Sequence, residues 1–99
     1  MFEILKIINF AKEAYNIQQE IYEKLKNKLS DGSSGGGMVK VKINGNFELK
    51  FLEIDNSLFI MKDKNFLQDM IVAAINDGIK NSKLLISEEM KGIVNKLVI

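Results

Sequence analysis

Lysine is the residue whose spacing in this sequence suggests recognition chemistry. Lys80, Lys83, Ser87 and Lys91 follow one another at intervals of three, four and four, the spacing of a single helix face. At about 1.5 Å per residue that face runs ~16 Å from Lys80 to Lys91, the scale of several phosphates along a duplex. Asn76 and Asn95 extend it, while Asp77, Glu88 and Glu89 lie close and weaken its field. Lys6 and Lys12 form a sparser set near the N-terminus. On pattern alone a stripe of this kind is more often the solubilising face of a helix.

Composition removes most other chemistry. All 14 basic residues are lysines, so there is no guanidinium fork for bidentate binding of carboxylate, phosphate or guanine. There is no His and no Cys. That excludes most zinc sites, Ser–His and Cys–His nucleophilic pairs and histidine-ligated haem. An enzyme would have to run on Asp, Glu, Lys or Ser, and no constellation of these points to one. The expectation is no catalysis, no cofactor, no metal and no small-molecule substrate. Glu53, Asp55, Asp63 and Asp69 lack the spacing of a calcium loop and read as solvated charge. Gly35-Gly36-Gly37 precedes a strand and no Gly-Lys-Ser/Thr follows, so it reads as a connection, not a phosphate cradle. Asn76-Asp77 inside a helix suggests packing or capping. A net charge of +1 says little about partners.

The elements that would position these residues are legible in the hydrophobic periodicity. From residue 2 to about 28 an apolar stripe recurs at Ile4, Ile7, Ile8, Ala11, Ala14, Tyr15, Ile21, Tyr22 and Leu25, which predicts a long amphipathic helix. Residues 30–37, SDGSSGGG, read as a loop, with room for a short strand near Leu29 to Gly32. Residues 38–55 alternate with period two and contain Asn44-Gly45, a hairpin signal. A three-residue turn over Asn44 to Asn46 would pair Ile43 with Phe47, Val41 with Leu49, Val39 with Phe51 and Lys42 with Glu48. It would place Asn46 at positive φ. The apolar phase then shifts to Leu52 and Ile54, as at a bulge or strand end. From about Lys64 to Gly92 the helical period returns, with Gly78 and Gly92 as weak points and Gly92 as a candidate stop or kink. Beyond it, Ile93, Val94, Leu97, Val98 and Ile99 call for a partner surface.

Length implies a single domain over residues 1–99, and no apolar run approaches the ~20 residues of a membrane span. The N-terminal MFEILKIINFAK has no signal-peptide pattern, so the expected location is the cytoplasm. A first helix of ~40 Å would overhang a subunit whose compact radius of gyration is only ~13 Å. Its apolar stripe continues along the overhang, and a symmetric homodimer is the economical way to cover it.

Three segments, SGGGMVKVKING (residues 34–45), EIDNSLF (53–59) and DMIVAAINDG (69–78), together resemble the YbaB/EbfC family of bacterial nucleoid-associated proteins. The match in order and spacing runs from Ser34 to about Lys80; the first helix and C-terminal region agree in character. Gly78 stands where relatives usually carry Ala. The resemblance implies an α+β fold: an α-β-β-β-α subunit in which two long helices flank a small antiparallel sheet. It implies an intertwined, tweezer-like homodimer whose long helices protrude as arms. It also implies binding to double-stranded DNA in the nucleoid and a role in chromosome organisation or gene regulation. Carried over by position, the DNA-contacting residues would be Lys6, Lys12, Lys80, Lys83 and Lys91. Without Arg, base reading would fall to Lys on guanine or to Asn9, Asn16 and Asn95 on adenine. The competing readings are a protein-interaction adaptor with exposed amphipathic helices and, with few lysines to support it, an interfacial N-terminal helix; no membrane partner is expected.

Overall fold

The computed structural model describes residues 2–97. The order is α1 (Phe2–Lys26), β1 (Leu29–Ser34), a 3-10 turn (Gly35–Gly37), β2 (Val39–Asn44), β3 (Leu49–Ile54), α2 (Asn56–Ile60) and α3 (Lys64–Leu97). The sheet is antiparallel in the order β1-β2-β3, and α3 packs across β1 and β2. The α-β-β-β-α architecture expected from sequence is present, with the short α2 added before α3.

The stretch read as a loop is mostly strand. Ser30 to Ser34 pair with Ile43 to Val39 in regular register, and only the three glycines turn. All three adopt positive φ, at 59°, 67° and 95°, a left-handed run that side chains with a Cβ resist. The glycine run is therefore a tight connection between β1 and β2. Polar β1 can be a strand because α3 supplies partners for it. Asp77 accepts the Ser33 N–H at 3.0 Å, Asn81 Nδ2 donates to the Asp31 carbonyl at 2.7 Å, and the Ser34 hydroxyl donates to the Met70 carbonyl at 2.6 Å.

The β2–β3 register differs from the expected one. Ile43 pairs with Leu49, Lys42 with Phe51, Val41 with Leu52 and Val39 with Ile54, with an irregularity between Lys42 and Ile43. The turn is longer than three residues because the Asn44 side chain organises it: its Oδ1 accepts the N–H groups of Asn46 at 3.0 Å and Glu48 at 2.9 Å. Asn44 N–H donates to the Glu48 carbonyl at 3.0 Å, and Phe47, not Asn46, takes the positive φ of 60°. The bulge accounts for the apolar phase shift. Leu52 and Ile54 join Val41 and Val39 on one face, while Phe51 shares the opposite face with Lys42.

The core is Val39, Val41, Ile43, Leu58 and Ala74, backed by Leu67, Met70, Ile71, Ile75 and Ile79. Helix α3 begins at Asp63, whose carboxylate accepts the Phe66 N–H at 3.0 Å as an N-cap. Asp55 caps α2 in the same way through the Ser57 N–H at 2.9 Å, and that bond holds its carboxyl below the usual range. Two of the four carboxylates read as solvated charge are thus helix caps. Helix α3 continues through Gly92 to Leu97 instead of stopping there, since one interior glycine costs only about 1 kcal/mol relative to Ala. Val98 and Ile99 of the expected apolar tail lie outside the described residues. Helix α1 ends at Lys26, two residues earlier than the periodicity suggests.

Gly32 and Gly78 mark where α3 lies closest to the sheet. A Cβ on Gly32 would fall inside the backbone of Ala74 and Gly78, whereas one on Gly78 would meet only the side-chain ends of Ile43 and Val41, at 2.8 and 3.0 Å. Backbone cannot yield as a methyl tip can. Gly32→Ala should therefore destabilise the fold by about 3 kcal/mol, and Gly78→Ala should lie within about 1 kcal/mol of wild type, since helix propensity offsets the repacking. Paired denaturant titrations check this; equal losses at both sites would contradict the close approach.

Candidate nucleic-acid interface

The molecule is long and thin. It spans 70 × 23 × 17 Å with a radius of gyration of 19.7 Å, against the ~13 Å of a compact chain this size. Its 7586 Å² of accessible surface is roughly a third more than a compact monomer of 11.2 kDa exposes. Much of the surface lies on α1, where every residue from Phe2 to Asn16 is exposed.

Lys80, Lys83 and Lys91 are all exposed on α3. At about 100° per residue they fall within one side of the helix, away from Ala74, Gly78 and Ser82, which face the sheet. Lys91 shares its surroundings with Glu88 at 4.0 Å, both side chains well exposed, so solvent screens the pair. Lys6 and Lys12 are exposed on α1. Among the described residues, Lys6, Lys12, Lys80 and Lys83 have no carboxylate within ion-pairing distance. Lys24 and Lys28 reach Glu89 at 2.9 and 3.6 Å, Lys42 reaches Asp31 at 3.8 Å and Lys50 reaches Glu48 at 4.0 Å. The α3 lysines thus form one face, and the α1 lysines stand on a separate helix.

Sequence reasoning missed the group that joins the two helices. Asn44 is fully buried. Its Nδ2 donates to the Lys26 carbonyl at 3.2 Å and to Glu48 Oε1 at 2.9 Å, and its own carbonyl accepts the buried Ser82 hydroxyl at 2.8 Å. The Asn44 bond, with help from Lys50, holds the Glu48 carboxyl below its ordinary value. Gly45 N–H donates to the Leu25 and Lys28 carbonyls at 3.0 and 3.1 Å, and Asn46 Nδ2 to the Tyr22 carbonyl at 3.2 Å. The turn that joins β2 to β3 is therefore also the C-terminal cap of α1. The Asn-Gly-Asn sequence signalled a turn; nothing in it signalled which helix the turn would cap.

Two apolar surfaces are open. Phe2, Ile4, Leu5, Ile7, Ile8 and Phe10 are exposed around the free end of α1, and Leu49, Phe51, Leu52, Phe59, Ile60 and Met61 are exposed along β3 and α2. Strand β3 is a sheet edge, so it offers unpaired backbone groups as well. Among the described residues no three acidic side chains converge as a metal site would require, and no helix is long and apolar enough to cross a membrane.

Comparisons with known proteins agree with this fold. Residues 1–97 match the model of the YbaB/EbfC DNA-binding family. A nucleoid-associated protein of Desulfotalea psychrophila is 39% identical over 88 residues, covering 89% of this chain and 83% of that one. One from Mesorhizobium japonicum is 34% identical over 99 residues, covering 100% of this chain and 92% of the relative. The crystal structure of an uncharacterized protein from Helicobacter pylori superposes with a TM-score of 0.71 at 32% identity, covering 93% of this chain and 92% of the other.

Losing the Asn44 side chain would strand the Lys26 carbonyl and two turn N–H groups in a partly buried place. Asn44→Ala should cost about 3 kcal/mol, lowering the melting temperature by roughly 10–20 °C for a domain this small. A melt unchanged within about 2 °C would show that the turn does not carry this load.

Proposed function

The chain belongs to the YbaB/EbfC DNA-binding family, and from that premise we propose that it binds double-stranded DNA as a homodimer, through lysines on its helical arms. Lys80, Lys83 and Lys91 on α3 and Lys6 and Lys12 on α1 would meet phosphate oxygens and displace condensed counterions. The observation that carries this reading is the exposed lysine face of α3, which has apolar contacts behind it and no sheet in front. The chemistry is positional. Ammonium groups neutralise phosphate without reading a base, so affinity falls steeply with salt and sequence preference is modest. A protein of this kind would act in the cytoplasm on the nucleoid, in chromosome organisation or gene regulation, with no catalysis and no membrane partner.

The β3–α2 surface supports the dimer. Its large apolar side chains lie beside an open strand edge, and a second copy would cover both around a two-fold axis. Wild-type protein should run at twice the 11.2 kDa chain mass in light scattering behind a sizing column. Phe51→Glu with Ile60→Glu should shift it towards one chain mass. A folded wild-type monomer at micromolar concentration would remove this basis for a two-armed particle.

The exposed apolar end of α1 favours a second reading, an adaptor whose helices dock partner helices. Direct duplex binding separates the two. Replacing Lys80, Lys83 and Lys91 with Glu reverses three charges per chain at exposed positions, where folding cost is small. In mobility-shift titrations at several salt concentrations the triple variant should lose at least ~100-fold in affinity and show a flatter salt slope. Lys40→Glu with Lys50→Glu on the hairpin should lose far less. A folded, dimeric triple variant with unchanged affinity and slope would place the duplex elsewhere.

A further inference from the structure

The proposed duplex surface is divided between two helices, and the sheet does not hold α1 along its length. The free end of α1 is exposed from Phe2 to Asn16, and among the described residues its burial starts at Ile17 and continues at Ile21 and Leu25, in its last three turns. The attachments are spread along the chain. Asn46 holds the carbonyl of Tyr22, Gly45 that of Leu25 and Asn44 that of Lys26, while Glu89 of α3 takes Lys24 at 2.9 Å and Lys28 at 3.6 Å. One bond would leave a pivot. Contacts on carbonyls over more than a turn, plus an ion pair to a different element, fix both tilt and roll.

Glu89 is itself informative. It interrupts the half-buried row of Leu85, Ile86 and Ile93 on the inner side of α3, where an apolar residue would continue the stripe. Its carboxylate instead bridges two ammonium groups one turn apart, with its side chain only 19% exposed. Gly45 completes the fit: a Cβ there would meet Leu25 Cβ at 2.7 Å, so α1 is pressed onto the turn.

We propose that the Asn44–Gly45–Asn46 turn and Glu89 form an arm-setting clasp, with Asn46 and Glu89 as positioning residues that aim α1 and so place Lys6 and Lys12 relative to Lys80, Lys83 and Lys91. The lever is long. Lys6 stands ~24 Å along the helix from Tyr22, so a tilt of ~15° at the base moves it ~6 Å, nearly two base-pair rises of a duplex. Loss of the clasp therefore removes the α1 lysines from phosphate register without altering any lysine. Its functional half rests on the duplex-binding reading; its structural half does not.

The chain has no cysteine, so site-specific labelling is clean. Spin labels on Asn9→Cys and Asn95→Cys report the angle between the arms, with labelled chain diluted into unlabelled chain so that each dimer carries one labelled copy. The wild-type background should give one narrow distance peak. Asn46→Asp with Glu89→Gln, which removes the amide donor and the charge while keeping both shapes, should broaden it by several ångströms with helicity retained. The same double variant without labels should bind duplex ~10-fold more weakly at ~0.1 M salt, with a salt slope shallower by about 1 and at most by ~3.6, since four α1 lysines per dimer each contribute ~0.9. An unchanged distance peak would overturn the clasp. A broadened peak with unchanged affinity and slope would overturn its role in positioning the lysines. A broadened peak in a protein whose wild type binds no duplex would sink the duplex reading and leave the clasp supported.

Discussion

The last carbonyls of a helix need donors, and the chain that follows α1 supplies one, the Lys28 N–H to the Leu25 carbonyl at 3.2 Å. No glycine follows Lys26 to wrap the chain back on itself; the next residues are Asn27, Lys28 and Leu29. The other donors come from the β2–β3 turn, through Gly45 N–H and the amides of Asn44 and Asn46. Because Asn44 also accepts the Ser82 hydroxyl, one buried asparagine joins α1, the hairpin and α3. Satisfying that single residue, side chain and backbone carbonyl together, explains several features at once. The turn is too long for a simple hairpin, the strands slip past a bulge, and Gly45 stands where any Cβ would collide with Leu25.

An arm held only at its base has consequences for the whole particle. Attachment at residues 22–28 leaves the rest of α1 free of the sheet, and α3 runs on beyond its sheet contacts, with Leu85, Ile86 and Ile93 half-buried. The molecule is therefore extended, with lysines exposed along its arms and large apolar side chains open on α1, β3 and α2. Near-neutral net charge fits such a design better than a uniformly basic surface would. Some acidic residues cap helices, as Asp55 and Asp63 do, and Glu89 holds lysines that are not on the arm faces, while Glu88 lies 4.0 Å from Lys91 on the proposed face. The lysines proposed to meet DNA are largely those left over.

Much of this architecture was legible from residue types and periods. The two long helices follow from their apolar stripes, and β2 from the alternation of Val39, Val41 and Ile43. The lysine face of α3 is visible as spacing alone. What was hidden has a common physical cause: it depends on contacts between distant segments. Ser-Asp-Gly-Ser-Ser has the composition of a loop and becomes a strand because Asp77, Asn81 and the Met70 carbonyl pair with it. The hairpin register follows from a side chain that folds back on its own turn, which alternation cannot reveal. Asn44 and Glu89 were unreadable for the same reason, since each is defined by partners on another element. The resemblance to the family, carried by residues 34–80, pointed to the fold and to DNA as a partner. It was least informative along the arms.

The central claim is that a duplex lies against the helical arms and not against the sheet. Titrating isotopically labelled protein with a short duplex and following its backbone amide resonances tests this residue by residue. The account predicts that shifts gather at residues 6–12 of α1 and 80–91 of α3, fade as salt is raised, and leave β2 and β3 around Lys40, Lys42 and Lys50 nearly unmoved. Shifts concentrated on the sheet, with both arms unchanged, would contradict it.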